Sequence, residues 1–288
     1  MNKTKIEWCY YTWNPVTGCL HDCPYCYARG IARRFEGGHE FTSEYGMDGS
    51  EWEVGEDTAE TRSLHVLDSS MRKSRDDYAK APFPFGFDPT FHRYRLDEPQ
   101  RVKKPSKIFV CSMADLFGEW VPPTWISAVF DACARAPWHE YLFLTKNPKR
   151  YDGIGYDNEN YEINIGVNEI AAVPPIMFGA TATNNEELLV AYESQAEWLS
   201  IEPISEELYT DAYFCGSSMG LISDRRRWEW VVIGAETGNR AGKTIPRLEW
   251  IEDIVQTCRF WKTPVFMKSN LAPVWGEELI QEYPEGLK

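Results

Sequence analysis

Trp230-Val231-Val232-Ile233-Gly234-Ala235-Glu236 decides the reading of the fold: four large apolar residues in a row, then two small ones, then an acid. A run so short and so evenly apolar fits a strand buried on both faces, as in a parallel sheet. The same form recurs at Ile108-Phe109-Val110-Cys111-Ser112-Met113, Tyr141-Leu142-Phe143-Leu144-Thr145-Lys146 and Met177-Phe178-Gly179-Ala180-Thr181-Ala182-Thr183. Trp198-Leu199-Ser200-Ile201-Glu202 and Pro264-Val265-Phe266-Met267-Lys268 continue it. Between these runs, Thr124 to Ala136, Glu186 to Gln195 and Arg247 to Phe260 space their apolar residues for one helical face. Alternating strand and helix predicts an α/β fold of parallel βα units, closed as a partial (β/α)6-type barrel.

Barrels of this kind carry their chemistry at the C-terminal ends of the strands. The polar residues at or just past those ends, Asp115, Lys146, Thr183, Glu202, Glu236 and Lys268, are therefore candidates for one shared site. Each taken alone reads equally well as a surface cap or an ion-pair partner.

The segment from Glu36 to Ser106 breaks the rhythm. It divides the chain into a first βα unit over 1–35, an insertion over 36–106 and the remaining βα units over 107–288. Between Arg34 and Arg62 there is no Lys or Arg, while acids accumulate from Glu36 through Glu44 and Glu51 to Glu60, as in a solvated loop. A basic stretch follows, with Arg72, Lys73, Arg75, Arg93, Arg95, Arg101, Lys103, Lys104 and Lys107. Phe83, Phe85, Phe87, Phe91 and Tyr94 are interleaved with it, either to stack on bases or to pin the insertion to the rest of the fold.

A chain of 288 residues, 43% hydrophobic and 14% aromatic, can bury a sizeable core. No apolar run approaches the roughly 20 residues that span a bilayer, and the polar start at Met1 leads into no signal-peptide core, so a cytoplasmic location is expected. The formal charge of -14 disfavours indiscriminate binding to nucleic acid, which relies on Lys and Arg, but leaves room for a local basic track.

Eight cysteines are too sparse for a disulfide-built fold, yet three of them crowd together in Thr17-Gly18-Cys19-Leu20-His21-Asp22-Cys23-Pro24-Tyr25-Cys26-Tyr27. Three thiolates spaced Cys-x3-Cys-x2-Cys on a tight loop can each ligate one iron of a [4Fe-4S] cluster and leave the fourth iron without a protein ligand. Zinc is the alternative; it would call for a fourth donor in a structural site, and His21 lies inside the loop. Cys9, Cys111, Cys133, Cys215 and Cys258 are scattered and read as small buried hydrophobes.

With Tyr25 just before the last cysteine, and the loop following a first strand at about Ile6 to Trp13, this segment resembles the signature of the radical S-adenosylmethionine superfamily. The wider chain is similar to a phage-associated branch of it. The phrases that carry this likeness are Trp13-Asn14-Pro15-Val16-Thr17-Gly18-Cys19, Ser112-Met113-Ala114-Asp115-Leu116-Phe117, Leu144-Thr145-Lys146, Leu199-Ser200-Ile201-Glu202-Pro203 and Trp230-Val231-Val232-Ile233-Gly234-Ala235-Glu236.

The resemblance implies Cys19, Cys23 and Cys26 as cluster ligands, S-adenosylmethionine as co-substrate, and reductive cleavage to a 5′-deoxyadenosyl radical that abstracts hydrogen from a substrate. Flavodoxin or ferredoxin is the implied electron donor; a modified base in phage DNA, suggested by that phage setting together with the basic, aromatic insertion, is the preferred substrate. Where the superfamily often has Gly-Gly-Glu at the second strand, this chain has Met113-Ala114-Asp115. Tyr25 is expected to pack over the cluster. Ser112 and Asp115 are expected near the methionine end of the co-substrate, and Thr183, Asn184 and Glu202 toward its ribose. Lys146, Glu236 and Lys268, with Asp115, are left to face the substrate. Arg225-Arg226-Arg227 reads as a solvated loop. Two readings from other classes stay open: a zinc-stabilised nucleic-acid-binding protein without catalysis, and a hydrolase using Glu202 and Glu236 as paired carboxylates.

Overall fold

The computed structural model describes residues 1–37, 64–74, 77–157, 162–164, 169–170, 174–218, 221–237 and 243–287. Most of the acidic stretch, from Glu40 to Glu60, and the side chains of Arg62 and Arg75 lie outside the described residues. The chain forms two compact units, Met1–Lys5, Cys9–Tyr141 and Tyr156–Pro175 in one, Ile6–Trp8, Leu142–Gly155 and Ile176–Lys288 in the other. Each is described by itself.

In the first unit, β1 (Asn2–Lys3) runs antiparallel to β2 (Tyr11–Trp13), and β2 runs parallel to β3 (Lys107–Val110) with Tyr11 opposite Ile108 and Trp13 opposite Val110. The first strand is shorter than the expected Ile6 to Trp13, because the Thr4 N–H donates to the Tyr10 carbonyl and closes a turn before it. β3 likewise stops at Val110. Cys111 takes the left-handed conformation at φ 57°, and the Ala114 N–H turns back to its carbonyl at 3.0 Å. Two helices of this unit are α1 (Tyr27–Arg34) and α2 (Pro123–Ala134). α2 buries Trp125, Ile126, Val129, Phe130, Ala132 and Cys133, the one-sided spacing that the sequence showed.

The described part of residues 36–106 belongs to this first unit. His65–Leu67 pairs in parallel with Thr90–His92, which pairs antiparallel with Val16–Thr17, so the segment docks on the stretch just before the cysteines.

In the second unit the strand order is β4 (Glu140–Thr145, entering this unit at Leu142), β5 (Ile176–Thr181), β6 (Trp198–Ile201), β7 (Trp230–Ile233) and β8 (Val265–Met267). β5 to β8 pair in parallel, with Gly179 opposite Trp198, Trp198 opposite Trp230 and Val231 opposite Val265. Every residue of β6, β7 and β8 is buried, as the unbroken apolar runs require. α3 (Asn185–Tyr192) connects β5 to β6, and α4 (Leu248–Phe260) lies between β7 and β8. The protein is thus mixed α/β with mostly parallel main strands.

Tryptophans build the core of this unit. Trp8 meets Trp198 and Trp230 edge-on, at centroid distances of 5.5 and 6.0 Å, and Trp198 lies 5.5 Å from Trp230. Trp198 lies over β5 where Gly179 leaves room: a Cβ there would stand 2.2 Å from the indole.

Arg227 departs from the expected solvated loop. Arg225 and Arg226 end the strand Leu221–Arg226 of a hairpin with Cys215–Ser218, and Arg227 turns inward. Its guanidinium donates to the carbonyls of Ala191, Tyr192, Ser194 and Ala196. These carbonyls lie at and beyond the C-terminal end of α3, where that of Ala191 also accepts from Ser194, and holding them ends the helix at Tyr192, short of the expected Gln195. Arg227→Gln leaves several of them without a donor and is expected to cost roughly 2–4 kcal/mol of stability, by the penalty for unmade buried hydrogen bonds. Urea unfolding monitored by tryptophan fluorescence measures it, and a variant as stable as the parent would contradict this role.

Candidate functional site

The cysteine loop lies in the first unit, between Val16–Thr17 and α1. Gly18 opens it at φ 87°, and a Cβ at that position would stand 2.2 Å from the Asp88 carbonyl oxygen. Only glycine lets the 87–88 backbone pass so close. Next to it the Cys19 N–H donates to the Phe87 carbonyl at 3.2 Å. Cys26 closes the turn. Its N–H donates to the Cys23 carbonyl at 3.1 Å, and its sulfur caps α1 by accepting from the Arg29 N–H at 3.4 Å.

Cys19, Cys23 and Cys26 are partly exposed, and none is tied in a disulfide. Burial pushes the Cys19 thiol up to about 12; a hydrogen bond from the His21 backbone opposes the shift, and Asp115, Cys23 and Cys26 add to it. The first thiol therefore senses the other two. Among the described residues, no three His, Cys, Asp or Glu side chains stand together as a group that could hold a metal ion. As a donor set the trio still fits an iron-sulfur cluster: three soft sulfurs on one turn, none tied in a disulfide.

One short strip past β3, Ser112-Met113-Ala114-Asp115, seats this loop. Asn14 Oδ1 accepts from the Ser112 hydroxyl at 3.2 Å and from the Met113 N–H at 2.9 Å. The Gly18 N–H donates to the Met113 carbonyl at 2.9 Å, and Gly18 bridges Ala114 in parallel. His21 Nε2 meets Asp115 Oδ2 at 2.7 Å, and the Tyr27 hydroxyl donates to the Ser112 carbonyl at 2.7 Å. The other oxygen of Asp115 accepts from the Phe117 N–H at 3.0 Å. Ser112 and Asp115, expected to serve a co-substrate, are thus engaged within the protein. Tyr25 lies half-buried on the loop beside Cys26.

The other candidates belong to the second unit and form two pairs at its strand ends. Past β4, Lys146 Nζ meets Glu187 Oε1 at 2.9 Å, while Glu187 Oε2 accepts from the Thr183 N–H and hydroxyl at 2.7 and 2.8 Å. Asn184 caps α3, its Oδ1 accepting from the Glu187 N–H at 2.9 Å. Past β8, Lys268 Nζ meets Glu202 Oε1 at 2.9 Å, and the Ser200 hydroxyl donates to Glu202 Oε2 at 3.1 Å. Gly234 lies under this second pair: a Cβ there would stand 2.6 Å from Glu202 Oε1. Burial alone would lower the Lys268 pKa, but Glu202, aided by Glu7, outweighs it, and the ammonium is held above its ordinary value. Glu236 is buried just past β7. Asn270 holds the residue before it, exchanging hydrogen bonds of 3.0 and 2.8 Å with the Ala235 backbone.

The rings of the insertion are used largely for packing. Phe83 and Phe91 are buried, Phe85 stacks on His65 at 3.7 Å, and Phe91 stacks on Trp125 at 5.2 Å. Phe83 and Phe87 pack with Ala28, Ala32, Met113 and Cys26 beneath α1. Tyr94 stands edge-on to His92, and Arg95 donates to the Asn14 and Pro82 carbonyls. Arg101, Lys103 and Lys104 remain exposed.

The fold and the loop define a mixed α/β protein with a cysteine-bearing turn between its first parallel strand and first helix. The chain belongs to the family described as "Protein of unknown function (DUF5131)", whose model matches residues 3–282. No curated protein and no solved structure matches it.

Asn14, Glu187 and Asn270 were not singled out in the sequence. Glu187 carried a signal, since Asn184-Asn185-Glu186-Glu187 has the spacing of a capping box. Asn14 and Asn270 act across long sequence separations, which no local pattern reports.

Burial raises the Glu187 pKa, but Lys146 and the two Thr183 bonds together outweigh it and hold the carboxyl below its ordinary value. A carboxylate so depressed contributes stability above its unfolded pKa and loses it as pH falls through the folded one. Lys146→Met is expected to move the Glu187 midpoint upward and so shrink that contribution. A carboxyl-carbon NMR titration follows it, and an unmoved midpoint would show that the pair does not form in solution.

Proposed function

We propose that this protein is a radical S-adenosylmethionine enzyme built on a partial (β/α)6-type barrel, with Cys19, Cys23 and Cys26 as ligands of a [4Fe-4S] cluster. The observation that carries the reading is the trio itself: three cysteines outside any disulfide on one glycine-opened turn, between a strand paired in parallel and a helix that the third cysteine caps. Held by Cys19, Cys23 and Cys26, such a cluster would supply the one-electron reduction of the sulfonium of S-adenosylmethionine, the source of methionine and of a 5′-deoxyadenosyl radical able to take hydrogen from carbon.

The chain's own part is to place and shelter these groups. Gly18 and the Ser112–Asp115 strip fix the turn, and Tyr25 is the aromatic neighbour of the last ligand. In the second unit, Lys146, Thr183, Asn184, Glu202, Glu236 and Lys268 are the candidates for contacts with co-substrate or substrate. A ligand that took a lysine from Glu187 or Glu202 would have to bring its own anionic group, because an unpaired buried carboxylate or ammonium is costly. The reductant would be flavodoxin or ferredoxin. The substrate to test first is a base in DNA, for which the exposed Arg101, Lys103 and Lys104 offer phosphate contacts.

Anaerobic reconstitution with iron and sulfide, reduction with dithionite and addition of S-adenosylmethionine test the reading. The wild-type chain is expected to release 5′-deoxyadenosine and Cys23→Ala to release none. Zinc without iron after anaerobic purification, or no deoxyadenosine from an iron-loaded wild type, would count decisively against it. A nucleoside digest of DNA incubated with the loaded enzyme should show a mass-shifted base, and an unchanged digest removes DNA as the substrate.

A further inference from the structure

The three cysteines sit on a turn that is held at both ends by backbone. On one side Gly18 is bonded to Met113, and Cys19 to Phe87; on the other, Cys26 is bonded to Cys23 and leads straight into α1. His21 lies between these anchors and between the first two cysteines. Its Nε2 reaches Asp115 Oδ2 at 2.7 Å, and its ring rests edge-on against Trp120 at 4.9 Å. Asp115 is itself buried and fixed, because its Oδ1 accepts from the Phe117 N–H. A buried, doubly bonded carboxylate is a rigid anchor for a loop residue, and a hydrogen bond to a charged group is among the stronger ones.

We propose that the His21–Asp115 pair is the latch of the cysteine turn, and that Asp115 is a positioning residue rather than a contact for the amino group of S-adenosylmethionine. This rests on the reading of Cys19, Cys23 and Cys26 as cluster ligands. Both oxygens of Asp115 already have partners inside the protein, His21 on the loop and the Phe117 N–H just past the strip that seats it. The latch ties the stretch between Cys19 and Cys23 to the strip past β3. Its loss removes the bond between the middle of the turn and the strip past β3, and leaves the Asp22–Arg29 ion pair and the two ends.

Site-resolved alkylation of the metal-free full chain with iodoacetamide, read by peptide mass spectrometry, tests the latch. His21→Leu keeps the Asp115 carboxylate in place. Left without its partner, that charge by itself would slow the reaction at Cys19, whereas release of the loop speeds it. Cys19 and Cys23 are expected to react about tenfold faster than in the wild type, the factor to which loss of one charge-assisted hydrogen bond corresponds. Buried Cys133 in α2, in the same unit as the turn, keeps its rate and reports that the fold of that unit is intact. Unchanged or slower labelling at Cys19 overturns the proposal.

The second arm is spectroscopic. Asp115→Asn and wild type are reconstituted anaerobically, and the electron paramagnetic resonance of the dithionite-reduced cluster is recorded with and without S-adenosylmethionine. Asp115→Asn is expected to take up less iron and to keep the change that S-adenosylmethionine produces in the wild-type spectrum. Loss of that change at full iron content would assign Asp115 to the co-substrate and overturn its positioning role. A wild type that takes up no iron at all refutes the cluster reading instead, while the alkylation result still decides whether the latch exists.

Discussion

The amide oxygen of Asn14 accepts from the Ser112 hydroxyl and the Met113 N–H at once, and in doing so it ties the turn that follows β2 to the turn that follows β3. The ladder alone ends at Trp13 and Val110. Beyond that point the two segments no longer pair as a ladder, so their backbone groups need other partners. Asn14 supplies the first, and Gly18, His21 and Tyr27 supply more, each directed at the same strip of four residues. The cysteine loop is therefore not a free excursion between a strand and a helix. Its geometry follows from a strand pairing that is set in the core, where Trp13, Ile108 and Val110 are buried.

A different constraint shapes the polar ends of the second unit. Lys146 and Lys268 leave the ends of buried strands, where an ammonium without a partner loses much of its hydration. Each has recruited a carboxylate, and each carboxylate has in turn recruited hydroxyl or backbone donors: Thr183 on Glu187, Ser200 on Glu202. Such pairs add little net stability, yet breaking one leaves a charge that the site cannot easily solvate. The opposite pulls of burial and partner explain why Glu187 moves below its ordinary range while Lys268 moves above its own.

The parallel strands could be read from sequence because burial on both faces leaves an unmistakable apolar run, and the helices because their apolar residues fall on one side. Their ends were less legible. Cys111 in a left-handed conformation and Arg227 across the end of α3 each terminate an element through geometry that no local composition announces. The same split holds for the candidate site. The cysteine spacing was visible as a pattern, and the residues at strand ends were visible by position, but their partners were not. His21 and Asp115 are 94 positions apart, and Lys146 and Glu187 are 41 apart, so only folding brings them together. The aromatic residues of the insertion show the opposite case. As a pattern they suited base stacking equally well, and their burial around Phe83, Phe91 and His65 decides that packing claims most of them.

The missing side chain at Gly18 bears on how this architecture can diverge. The carbonyl oxygens of Phe87 and Asp88 fill the space into which any larger residue would project. The segment after the acidic stretch is consequently a wall of the cysteine turn, and a lineage that exchanged it for another would have to refill that space in the same step. Recombination between relatives should then preserve Gly18 and the 87–88 backbone as one heritable block, whatever happens to the sequence around them.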